Sequence, residues 1–104
     1  MSAGRRERDE RLHALVADAS GAVLGYLTRR VDSPEDAADL LGETLLVAWR
    51  RRRELPAADE GARMWLFGVA RGLLANHRRG AVRRIALAAR LRAELGAAAA
   101  RHPD

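Results

Sequence analysis

The sequence predicts an all-α protein, a compact three-helix bundle followed by a C-terminal Ala/Arg-rich helical linker. Proline occurs only at 34, 56 and 103, Ala and Leu abound, and aromatic residues make up 4% of the chain, so the composition favours helix over sheet. Apolar residues also recur at spacings of three and four in three successive segments. The tetrapeptide Ser33-Pro34-Glu35-Asp36 has the chemistry of a helix start. A chain of 104 residues fits one domain, and a core of this size buries about 60 to 65% of the surface its unfolded form exposes.

The first helix is expected from about Arg6 to Val31, with Leu12, Leu15, Val16, Ala19, Val23, Tyr26, Leu27 and Val31 forming one apolar stripe. Gly21 and Gly25 lie four apart on it and weaken the helix by up to about 1 kcal/mol each relative to Ala, which points to a closely packed neighbour there. In the second helix, Ser33 caps the free amides, Pro34 fits the first turn, and Glu35 and Asp36 complement the positive end of the dipole. It is expected to reach about Glu54, with Ala37, Leu40, Leu41, Thr44, Leu45, Ala48 and Trp49 facing the core. Leu55 to Gly61 reads as a loop bracketed by Pro and Gly.

A third helix is expected over Ala62 to Arg79, with Gly80 as a left-handed cap. Its core side gathers Ala62, Leu66, Val69, Ala70, Leu73 and His77. The opposite side carries Met64, Gly68, Arg71, Gly72, Ala75, Arg78 and Arg79, small residues and cations that let another backbone come close. Beyond Gly80, residues Ala81 to Gly96 form a weakly packed helix that runs out in Ala97 to Ala100. Residues 1–80 are therefore expected to form the domain and 81–104 a linker.

Several classes of function are excluded or left without support. The chain has no Cys, so it has neither disulfides nor thiolate metal sites, and it is compatible with a reducing cytoplasm. No apolar run approaches the roughly 20 residues of a membrane span, and Met1 to Leu12 contains no signal-peptide apolar region. His13, His77 and His102 are scattered, and no Gly-rich phosphate loop or metal motif is present, so no catalytic residue, metal or cofactor is expected. Asp39 and Glu43 imitate half of a carboxylate metal site, but no His follows at ligand spacing.

Charge is the more informative signal. The net charge is +5, and all 19 cations are Arg, a choice that suits phosphate but also follows from GC-rich codon usage. From Val31 to Trp49 there are five acids and no base; from Ala62 to Ala93 there are eight Arg and no acid. One segment suits a basic partner and the other a polyanion, although the gradient along the second helix also suits its own dipole.

Two stretches taken together carry a family resemblance. Asp36-Ala-Ala-Asp-Leu-Leu-Gly-Glu-Thr-Leu-Leu-Val-Ala-Trp49-Arg50 is followed after a short loop by Trp65-Leu-Phe-Gly-Val-Ala-Arg-Gly-Leu-Leu-Ala-Asn76-His77-Arg78-Arg79. In this order and spacing they resemble region 2 of the extracytoplasmic-function (ECF) sigma factors of the sigma-70 family, a likeness extending from about Leu12 to Arg79. It implies a cytoplasmic, non-enzymatic transcription initiation factor. Its partners would be core RNA polymerase, through the β′ clamp helices, and promoter DNA, mainly the −10 non-template strand, with an anti-sigma factor as a further partner.

The implied polymerase-binding residues are Asp36, Asp39, Glu43, Leu46 and Arg50. The implied DNA-binding residues are Arg63, Trp65, Phe67, Arg71, Gly72, Asn76, Arg78 and Arg79, with Trp65 and Leu66 near the family's melting wedge. The loop Pro56 to Arg63 would help hold a base flipped out of the strand. Trp49, Trp65 and His77 also have plain structural roles open to them, as core or boundary residues.

The sequence departs from the family at Gly42, where a Gln is usual, at Gly72, where an Asn usually helps hold the base, and at Ala75, a commonly polar position. Val16, Ala19 and Ser20 stand where aromatic residues are common, which implies a slimmer core. Nothing in the chain matches the family's −35-reading region 4, so the chain is expected to be a fragment rather than a degenerate factor. Two other functions fit the charges: an autonomous Arg-rich nucleic-acid-binding regulator, and a protein-interaction module using the acidic face.

Overall fold

The computed structural model describes residues 2–102 as three α-helices: α1 (Ser2–Thr28), α2 (Pro34–Arg50) and α3 (Asp59–Arg101). A single 3-10 turn, Arg52–Glu54, lies between α2 and α3, and the described residues contain no strand. Met1, Pro103 and Asp104, the outer ends of the two segments expected from the sequence, lie outside the described residues. The chain divides into two units, Met1–Leu74 and Ala75–Asp104.

In the first unit one apolar cluster joins all three helices. Leu12, Ala19, Val23 and Leu27 of α1 are buried with Ala37, Leu40 and Ala48 of α2 and with Ala62, Leu66, Ala70 and Leu74 of α3. Ala19, Ala37 and Ala48 are fully buried, and their small side chains suit the extensive packing of α1 along α2. Thr44 is the buried polar residue of this core, and its Oγ1 donates to the Leu40 carbonyl at 2.7 Å, so the hydroxyl is satisfied within its own helix.

The ends of α1 differ from expectation. It starts at Ser2 rather than near Arg6, because the Arg- and Glu-rich segment before Leu12 propagates a helix readily. It stops at Thr28, whose Oγ1 donates to the Leu24 carbonyl at 2.7 Å, and the Arg30 and Val31 amides both turn back onto the Leu27 carbonyl. Val31 is thus outside the helix yet still packs on the core. Gly21 and Gly25 are not closely packed: a Cβ on Gly21 would meet nothing within 4 Å, and one on Gly25 only the Arg29 guanidinium at 3.4 Å.

The cap of α2 forms as expected. Ser33 has extended backbone and its Oγ accepts from the Asp36 amide at 3.1 Å, with Pro34 in the first turn. The helix ends at Arg50, short of Glu54, and the next residues tighten into the 3-10 turn, which the Arg51 guanidinium spans with two bonds to the Glu54 carboxylate at 2.9 and 2.7 Å. The hydrogen bond from Arg51 holds the Glu54 carboxyl below its ordinary value, against a smaller opposing effect of desolvation.

Trp49 corrects the core assignment. It is 40% exposed, because Ala48 takes the fully buried position beside it. The indole meets the His13 ring at 6.0 Å and the Arg52 guanidinium at 4.3 Å from its ring centre. Arg52 also pairs with Asp9 at 2.9 Å, tying the 3-10 turn to α1.

Within the first unit, the buried seam of α3 follows Ala62, Leu66, Val69, Ala70 and Leu74, so Leu74 replaces Leu73, which is half-buried. Gly80, expected as a cap, is helical, and no glycine among the described residues has positive φ. The expected break between two helices is absent for the same reason. One Gly costs a helix about 1 kcal/mol, whereas the Ala, Arg and Leu around it favour continuing, so α3 runs on to Arg101. In the second unit His77 is half-buried, while Ile85, Leu91 and Leu95 are 68, 48 and 68% exposed, as a helix without a core of its own requires.

Candidate functional site

The acidic side of α2 points away from the core. At 100° per residue Asp39, Glu43, Leu46 and Arg50 fall within about 60° of one another. Asp39, Glu43 and Arg50 are exposed, Leu46 is 48% exposed, and Asp36 at the margin is half-buried. Asp39 and Glu43 have no ion-pair partner among the described residues. Like charges four apart weaken a helix by a few tenths of a kcal/mol, a small cost that a cationic surface against this face would relieve. Gly42 is exposed within it, and nothing lies within 4 Å of where its Cβ would be, which leaves the backbone open to close approach.

In the first unit, α3 presents Met64, Gly68, Arg71 and Gly72 to solvent on the side away from its buried seam. A Cβ on Gly68 or Gly72 would meet nothing within 4 Å, so this side stays open as expected. Phe67 is shared between core and surface: it packs on the buried cluster, meets Tyr26 edge-on at 5.9 Å, and carries the exposed Arg63 guanidinium 5.6 Å from its ring centre. Trp65 is half-buried against the same cluster, and its buried Nε1 has no hydrogen-bond partner among the described residues.

Arg63 also borders a cleft of about 280 Å³ that α1 closes with Arg11, Leu15 and Asp18 and the start of α3 with Asp59. Arg11 holds the preceding loop in place: its Nη2 donates to the Pro56 carbonyl at 2.6 Å and to the Ala57 carbonyl at 3.0 Å. Sequence reasoning missed Arg11 and Asp18. Both lie beside the apolar stripe of α1, and no periodicity marks a pairing across 45 residues. In the second unit Asn76, Arg78 and Arg79 are exposed, and Arg79 donates to the Asn76 side chain. Among the described residues no group of three or more His, Cys, Asp or Glu is arranged to hold a metal ion, and no helix is long and apolar enough to cross a membrane.

The model of the sigma-70 region 2 family matches residues 15–84. The chain is also similar to the ECF RNA polymerase sigma factor SigL of Mycobacterium tuberculosis, in the Erdman, CDC 1551 and H37Rv strains. Each is 33% identical over 70 residues, which cover 67% of this chain and 40% of the relative. The chain therefore spans well under half the length of the curated relatives it matches. No solved structure matches it. An all-helical bundle with these two stretches in this order, matched by the family model over two thirds of its length, belongs to the sigma-70 region 2 family and is a region 2 domain of the ECF sigma factor type.

Proposed function

We propose that this domain docks on the β′ clamp helices of core RNA polymerase through α2 and holds the melted −10 non-template strand through α3. The observation that carries this is the separation of charge on exposed surfaces inside the family-matched segment. Asp39 and Glu43 share one side of a helix with Leu46, and Arg63, Arg71, Arg78 and Arg79 lie on another helix with no acid between them. An acidic, unpaired face steers and orients docking on a basic helical surface, with Leu46 supplying apolar contact and Asp36 and Arg50 bordering it.

An autonomous nucleic-acid binder has no use for such a face. On the strand side Gly68 and Gly72 admit a backbone, while Arg71, Arg78 and Arg79 neutralise phosphates. Arg63, Asn76 and the exposed part of Phe67 meet bases, and Trp65 beside Leu66 stands at the upstream edge of the melted segment. The cleft between Arg11, Asp18, Asp59 and Arg63 is a receiving site for an extruded base, whose lost stacking costs a few kcal/mol that edge contacts must offset.

No bond is made or broken by the domain, and its place of work is the cytoplasm. The region 2 domain takes in residues 1–80, and residues 81–104 are a linker into which α3 continues as far as Arg101. An anti-sigma factor would compete for the same acidic face.

Asp39→Arg with Glu43→Arg is expected to abolish capture of a β′ clamp-helix fragment while leaving the helical circular dichroism unchanged. Capture equal to that of the unsubstituted chain would remove the docking assignment.

A further inference from the structure

The two units share the charge unequally. Met1–Leu74 holds twelve Arg against twelve acids and is formally neutral, whereas Ala75–Asp104 holds seven Arg against two acids and so carries the whole +5. Within the second unit the cations are exposed and helical. At 100° per residue Arg79, Arg83, Arg90 and Arg101 fall within about 40° of one another, and at 1.5 Å per residue their row is about 33 Å long. Arg90 has a loose contact with Glu94 at 4.0 Å, both side chains being largely exposed, which takes little from the row. The family match ends at Arg84, so Arg90, Arg92 and Arg101 lie beyond it.

We infer that this helix is a duplex-DNA-binding arm, a row of guanidinium groups that grips phosphates without reading sequence. A row about 33 Å long is comparable to one turn of B-form DNA, and planar guanidinium forks match phosphate oxygens. An anionic membrane surface fits less well. The apolar side of Leu87, Leu91 and Leu95 is interrupted by Arg84, and residues 75–102 contain no Trp, Tyr or Phe to seat in a headgroup layer. The inference does not depend on polymerase docking, and the arm would add sequence-independent affinity for whatever duplex lies beside the melted strand.

The test uses the full chain, without polymerase, and a fluorescein-labelled 24-base-pair duplex of arbitrary sequence, with anisotropy followed from 30 to 200 mM salt. Contacts by the four Arg of the row predict a slope of log K against log salt of about −3 to −4. Arg83→Gln with Arg90→Gln and Arg101→Gln is expected to reduce that slope by about 2.7 and to weaken low-salt binding at least tenfold, equally on two unrelated sequences. The matching triple Arg→Lys variant is expected to retain the slope.

A glutamine variant with unchanged slope and affinity would overturn the arm. So would association with vesicles of equal phosphatidylglycerol and phosphatidylcholine that exceeds association with duplex. Neither Asp39 nor Glu43 enters the measurement, so loss of polymerase docking leaves its outcome untouched.

Discussion

Replacing Arg11 by Ala removes both bonds that hold the loop before α3, those to the Pro56 and Ala57 carbonyls at 2.6 and 3.0 Å. A hydrogen bond from a charged group contributes about 1.5 to 3 kcal/mol when protected from water. One of these is part-buried and the other exposed, so together they are worth about 1 to 2 kcal/mol once solvent competition is allowed for. That converts to a 5- to 30-fold rise in local opening, at about tenfold per 1.4 kcal/mol. Amide hydrogen exchange reads this directly. Exchange at the hydrogen-bonded amides of Leu55 and Ala62, which bracket the loop, should accelerate by that factor, while the core amides of Leu40 to Ala48 keep their protection. Loop exchange within twofold of the unsubstituted chain would refute the anchoring role. If the loop helps hold an extruded base, the same variant also loses strand binding in the polymerase complex while its clamp capture is unchanged.

Leu66 is fully buried at the centre of the cluster, so Leu66→Ala is expected to cost about 2 to 5 kcal/mol in urea unfolding followed by circular dichroism, and less than 1 kcal/mol would contradict its central position. Gly80→Ala tests the continuity of α3. With helical φ, and only the movable Arg84 guanidinium within 3.3 Å of the added Cβ, the variant should raise helix content and slow exchange around residue 80 by about 0.5 to 1 kcal/mol. A left-handed cap there would give the opposite sign. For Glu54, whose carboxyl is depressed by Arg51, the stabilising pair is present above the ordinary carboxylate value and disappears as pH falls through the lower folded value. Arg51→Gln should therefore raise the Glu54 midpoint seen by NMR titration.

The parts of the fold that rest on local chemistry were legible in the sequence. Ser33 caps α2, Leu12 to Leu27 form the seam of α1, and Asp39, Glu43, Gly68 and Arg71 all face outward. Features that depend on competition between neighbours were not. Trp49 yields the core to Ala48, and Leu73 yields to Leu74, because a wheel angle does not say how close two backbones come. Gly80 has the chemistry of a cap, but a single glycine loses to the helix-favouring Ala and Arg on both sides. Gly21 and Gly25 keep their cost to α1 without a close neighbour, and nothing in the structure explains them. The ties of Arg11 to the loop and of Asp9 to Arg52 join residues more than 40 apart, a separation at which neither spacing nor composition gives a sign.

The division of labour between two oppositely charged helices is tested most directly by strand capture in the assembled complex. Core polymerase, this chain and a labelled non-template −10 oligonucleotide are combined, and anisotropy reports the strand while co-elution reports the chain. The expected result is that the chain confers strand binding on the core enzyme, and that Arg71→Ala lowers strand affinity at least tenfold while still co-eluting with it. Undiminished strand binding by Arg71→Ala, or a core enzyme that gains no strand binding from the chain, would contradict the account.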